Sequence, residues 1–176
     1  YASVREKTDF RPKVALVLGS GLGDYADEIK VETIIDYHDI EGFPVSTVDG
    51  HKGRFVFGYI DEVPTVIMQG RVHYYEGYAI QDVVLPTRLM KMLGAEVLFL
   101  TNAAGSVNRE FLAGDFMMII DQITSFVPSP LVGKNIDELG LRFSDMSEVY
   151  NKDLQEILRG AAKDLGIDLK ERVYIQ

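Results

Sequence analysis

Apolar residues fall along this chain in short runs separated by glycine, proline and charged turns. Val14-Ala15-Leu16-Val17-Leu18, within 13–18, and Val97-Leu98-Phe99-Leu100, within 96–101, are unbroken. Such runs mark strands covered on both faces. In 54–60, Phe55, Phe57 and Tyr59 alternate with Val56, Gly58 and Ile60. Asp61-Glu62 then turns the chain into 63–69, which predicts an antiparallel hairpin. Further strands are predicted at 31–37, 45–48, 115–123 and 172–176, and a short helix at 24–30. Val83, Val84, Thr87, Met90 and Leu93 set a helical spacing over 80–93, with Gly94 as the stop and Pro86 predicting a kink or a delayed start. Leu154, Ile157, Leu158, Ala161, Ala162 and Leu165 form one helical apolar stripe, with Asn151 as N-cap and Gly166 just past the end. Residues 125–142 contain Pro128, Pro130, Gly133 and Gly140 without periodicity, and read as a long loop.

Composition narrows the function classes. At 176 residues the chain suits one domain over 1–176. A content of 47% hydrophobic and 26% charged residues is ordinary for a soluble protein. The net charge of −9 argues against general nucleic-acid binding, and requires any anion site to be locally positive. The absence of cysteine excludes disulfides, thiolate metal ligation and a cysteine nucleophile, and fits a cytoplasmic location. No run reaches the length of a membrane span, and no signal peptide is visible. The chain starts at Tyr1 rather than Met and stops inside the strand predicted at 172–176, so a truncated domain is expected.

Three stretches carry candidate chemistry. In Gly70-Arg71-Val72-His73-Tyr74-Tyr75-Glu76-Gly77, an arginine, a histidine and a tyrosine recur at alternate positions. An extended segment would point all three to one face. A guanidinium offers a bidentate fork to phosphate, and an imidazole can donate one more hydrogen bond. Gly19-Ser20-Gly21-Leu22-Gly23 directly follows a predicted strand, an arrangement whose backbone N–H groups cradle anions. A dinucleotide site would want a small residue where Asp24 stands, so that reading ranks low. Thr101-Asn102-Ala103-Ala104-Gly105-Ser106 places small residues at another strand's C-terminal end, where open α/β sheets bind ligands. The hairpin brings Gly50-His51-Lys52-Gly53 to the same sheet edge as Arg71 and His73, whereas His38 has no such context.

Taken together, these stretches resemble the trimeric purine nucleoside phosphorylases. Gly19 to Gly23, Gly50 to Gly53, Gly70 to Gly77 and Thr101 to Gly105 occur in that family's order and spacing, with Phe143-Ser144-Asp145-Met146-Ser147 as a weaker match. The resemblance implies an α/β fold with a mixed central β-sheet flanked by helices, here without its C-terminal portion. It implies reversible phosphorolysis of purine (deoxy)ribonucleosides to free base and (deoxy)ribose 1-phosphate. Inorganic phosphate would be the co-substrate, with no metal or organic cofactor, in a cytoplasmic homotrimer. Ser20, His51, Arg71, His73 and Ala103 would hold phosphate; Tyr75, Ala103, Ala104, Gly105 and Phe143 would contact the nucleoside. The family's base-recognising glutamate and asparagine have no match in this sequence. Two alternatives remain open: a methylthioadenosine phosphorylase of the same fold, and a non-catalytic phosphate-binding fragment.

Overall fold

A computed structural model of the chain describes residues 1–46 and 52–176. His51 therefore lies outside the described residues, as do Thr47 and Val48 of the strand predicted at 45–48; Val45 and Ser46 are irregular. The chain divides into two compact units, Tyr1–Ala104 and Gly105–Gln176.

The first unit is built on a five-stranded mixed sheet. Its strands are β1 (Val14–Leu18), β2 (Lys30–Asp36), β3 (Arg54–Ile60), β4 (Val63–Gln69) and β5 (Val97–Leu100), in the order β2-β3-β4-β1-β5. β1 lies between β4 and β5 and runs parallel to both. The predicted hairpin forms between β3 and β4, in register from Arg54↔Gln69 to Ile60↔Val63. Strand alternation divides the core between the two faces of the sheet. Ala15, Val17, Phe55, Phe57, Val66 and Met68 pack in one cluster with Val4 of helix α1 (Ala2–Arg5) and Leu89, Met90 and Leu93 of helix α2 (Ile80–Leu93). Leu16, Leu18, Val56 and Ile67 pack in the other with Ala26. Ala26 belongs to a 3-10 helix, Gly23–Asp27, which replaces the α-helix expected at 24–30. That expectation fails because Lys30 already opens β2, leaving too few residues for α-helical turns.

α2 starts at Ile80, without the delayed start, and Pro86 lies inside it. Proline removes the bond to the Asp82 carbonyl, but Asp82 is exposed, so water can satisfy that oxygen. The Pro86 ring itself is buried in the first unit's interior.

The second unit holds a parallel pair, β6 (Met117–Ile123) with β7 (Lys170–Ile175), and helix α3 (Lys152–Asp164). Asn151 caps α3 as predicted, its side chain accepting from the Leu154 N–H at 3.0 Å. Gly166, at φ +68°, closes the other end with bonds from the Gly166 N–H to Lys163 O and from the Ile167 N–H to Ala162 O. This double closure needs a left-handed residue, which glycine adopts without strain. Asn151→Ala should cost roughly 1 kcal/mol of local stability, read as faster amide exchange in the first turn of α3. The predicted apolar stripe is largely exposed at Leu154, Ile157 and Leu165. A two-stranded sheet offers too little apolar surface to cover it. Residues 125–142 form a loop with one 3-10 turn, Asp137–Leu139, and Arg142 ties it by donating to the carbonyls of Leu131 and Gly133. No helix among the described residues is long and apolar enough to cross a membrane.

Candidate functional site

The parallel register aligns Leu18 with Gln69 and Val17 with Leu100. The C-terminal ends of β1, β4 and β5 therefore open at one sheet edge. Gly19-Ser20, Gly70-Arg71-Val72-His73 and Thr101-Asn102-Ala103-Ala104 emerge there side by side. Ligands of open α/β sheets bind at such an edge, beside the central strand whose neighbours leave in different directions.

Thr101 joins the three segments. Its hydroxyl accepts from the Gly19 N–H at 2.7 Å and donates to Val17 O at 2.9 Å. Its carbonyl accepts from Arg71 Nη1 at 3.0 Å. The contact with β1 is close: a Cβ on Gly19 would lie 2.7 Å from Thr101 O and 2.8 Å from Asn102 Cα. Glycine is required at 19 because no side chain fits that gap.

Arg71 leaves β4 through Gly70, whose φ of +90° turns the chain and whose carbonyl accepts from the Tyr37 hydroxyl at 2.7 Å. Burial pushes the Tyr37 hydroxyl far above the usual phenol range, so it stays a neutral donor. The extended segment ends at His73, and Tyr74–Glu76 closes into a 3-10 turn. Simple alternation therefore does not place Tyr75. The turn brings it back, and its ring stacks on His73 with centroids 4.8 Å apart and planes 16° from parallel.

Glu76 sets the state of His73. One carboxylate oxygen accepts from the His73 backbone N–H at 2.6 Å and lies 3.0 Å from Nδ1. An ionised carboxylate only accepts, so Nδ1 carries a proton. Nε2 then receives the Arg71 Nε–H at 3.3 Å. In this arrangement the imidazole accepts from Arg71. The Glu76 side chain is 3% exposed, and Ser46 donates to its second oxygen at 3.3 Å. Sequence reasoning gave Glu76 no role; the signal was a histidine followed three residues later by a glutamate at a turn.

A second polar chain underlies the glycine loop. The Gln69 amide, almost fully buried, donates to Gly23 O at 2.6 Å and accepts from Arg54 Nε at 2.7 Å. Arg54 and Lys52 both reach Asp27, at 3.1 and 2.6 Å. The Lys52 hydrogen bond, reinforced by both cationic charges, holds the Asp27 carboxyl below its ordinary range despite some desolvation. This ties the 3-10 turn after Ser20 to the starts and ends of the hairpin strands.

Ser20, Ala103 and Ala104 are exposed at this edge, and Arg71 and His73 are half-buried. Gly105 and Phe143 belong to the second unit, where both are exposed and Arg142 Cζ sits 6.0 Å from the Phe143 ring centroid. Elsewhere, Asp36, His38 and Asp39 bring ligand atoms within 4.8 Å of one another. That group lies largely at the surface and Asp39 is already paired with Lys7 at 3.4 Å. The β1–β4–β5 edge, by contrast, combines a guanidinium, a serine hydroxyl and backbone amides in a glycine loop, which is the chemistry of an oxyanion or phosphate site.

The family model described as the phosphorylase superfamily matches residues 13–176. Purine nucleoside phosphorylase 1 of Geobacillus stearothermophilus is 49% identical over 172 residues, covering 98% of this chain and 63% of its own length. A crystal structure of a purine nucleoside phosphorylase in complex with ribose-1-phosphate superposes with a TM-score of 0.92 at 37% identity, covering 99% of this chain and 66% of that one. The Schistosoma mansoni purine nucleoside phosphorylase in complex with inosine gives 0.91 at 36% identity, covering 99% of this chain and 63% of that one. The chain thus spans slightly under two thirds of the length of these relatives. The mixed sheet with flanking helices agrees with the fold expected from the sequence.

Proposed function

As this chain belongs to the phosphorylase superfamily, we propose that it acts as a purine nucleoside phosphorylase, transferring the (deoxy)ribosyl group of a purine nucleoside to inorganic phosphate. The observation that carries this reading is the meeting of Gly19-Ser20, Arg71 and Thr101 at the C-terminal edge of three parallel strands. The names and ligands of the relatives, inosine and ribose-1-phosphate, support the same reaction class. In this reading Ser20, His51, Arg71, His73 and the backbone at Ala103 hold phosphate. Tyr75, Ala103, Ala104, Gly105 and Phe143 contact the nucleoside. The single-domain organisation over 1–176, the homotrimer and the cytoplasmic location belong to the same proposal.

The chemistry follows from charge. Breaking the glycosidic bond passes through an oxocarbenium-like state. A phosphate dianion held against the anomeric carbon stabilises that positive charge and then forms the new C–O bond, while the bond electrons leave with the purine. Holding both reactants in line can remove roughly 7–11 kcal/mol of barrier. Arg71, fixed through Thr101 O, orients the nucleophile, and inorganic phosphate is the only co-substrate required.

The test is inosine cleavage with and without phosphate. Hypoxanthine release that requires phosphate, with ribose 1-phosphate as co-product, is the expected result. Release at the same rate without phosphate would make the protein a hydrolase and overturn the reading.

A further inference from the structure

We infer that the Thr101 hydroxyl is a positioning residue for phosphate, the joint that holds the Gly19-Ser20 loop in register with Arg71. The inference rests on the phosphate-site reading and adds a residue to it.

The loop after β1 needs a fixed direction if its amides and the Ser20 hydroxyl are to meet an anion together. The Gly19 N–H, at the base of that loop, points not at a strand neighbour's carbonyl but at a side chain, Thr101 Oγ1, at 2.7 Å. The hydroxyl spends its own proton on Val17 O at 2.9 Å, so its lone pairs face Gly19. The same residue's backbone N–H bonds to Val17 O at 3.1 Å, which locks the side chain against β1. Its carbonyl meanwhile fixes Arg71 Nη1. A displacement at Thr101 therefore moves the serine loop and the guanidinium relative to each other. Neither the hydroxyl nor Gly19 need touch phosphate for this to matter.

Three substitutions separate this role from general stability. Thr101→Val keeps the shape and removes the hydroxyl, stranding the Gly19 N–H. Gly19→Ala keeps the hydroxyl but wedges the joint open from the other side. Thr101→Ser restores the hydroxyl without the methyl group. Inorganic phosphate affinity is measured by calorimetry on the full chain, with the thermal melt followed in parallel. Both joint-opening variants should weaken phosphate binding about tenfold or more, and Thr101→Ser should stay within about threefold of the parent. If Thr101→Val and Gly19→Ala bind phosphate like the parent while Arg71→Ala does not, the phosphate site stands and the joint is refuted. Loss of affinity in Thr101→Ser equal to that in Thr101→Val would also refute it, since packing and not the hydroxyl would then be responsible. If Arg71→Ala binds phosphate like the parent, the site reading itself fails and the inference falls with it.

Discussion

Arg71→Ala should weaken phosphate affinity by about a hundredfold, whereas Lys134→Ala should leave it within about twofold. The two residues carry the same formal charge, so a purely global electrostatic effect would treat them alike in a chain of net charge −9. What separates them is placement. Arg71 is half-buried, anchored on Thr101 O and in contact with His73 Nε2. Lys134 is exposed on the loop of the second unit. A screened surface charge contributes little, but a guanidinium held in a fixed orientation meets phosphate without further loss of side-chain freedom. Equal losses in the two variants would mean that phosphate does not bind at the β1–β4–β5 edge.

Glu76→Ala should have the next largest effect, a fall in phosphate-dependent turnover of roughly thirty- to a hundredfold. One substitution removes the acceptor of two His73 groups, the backbone N–H at 2.6 Å and Nδ1 at 3.0 Å. The imidazole would then lose both its tautomer preference and its orientation against Arg71. Glu76→Gln keeps an oxygen acceptor but not the charge, and should lose about tenfold. The imidazole nitrogen shifts provide a readout that general destabilisation would not reproduce. His73 should report a proton on Nδ1 in the parent chain and a mixture of tautomers in Glu76→Ala. Unchanged shifts together with unchanged turnover would remove Glu76 from the site.

Local pattern carried the sequence reading far where local pattern determines structure. β1, the β3–β4 hairpin and the two ends of α3 each depend on residues within a few positions of one another. Val14 to Leu18, Asp61-Glu62, Asn151 and Gly166 were accordingly readable. That Gly19-Ser20, Arg71 and the segment after Thr101 serve one site came from the family resemblance, because each of these strand-end motifs taken alone also fits a tight turn without a ligand. Tyr75 was not. Its approach to His73 comes from a turn that Glu76 stabilises, and strand periodicity cannot anticipate that. Thr101 escaped notice for a related reason: a threonine at a strand end is ordinary, and its hydrogen bond to Gly19 spans 82 residues of chain. The α3 stripe was legible as a pattern, and Leu154, Ile157 and Leu165 on it are exposed. Its spacing is strongly helical, but periodicity states which face is apolar and not whether anything covers it.

The central claim is that phosphate binds at the C-terminal edge of β1, β4 and β5. Titration of the isotopically labelled chain with inorganic phosphate, followed at each backbone amide, tests it most directly. The account predicts saturable shifts at Gly19, Ser20, Arg71, His73 and residues 101–104, with the amides of α3 unmoved. Shifts scattered over the surface without saturation, or saturating shifts confined to other segments, would contradict it.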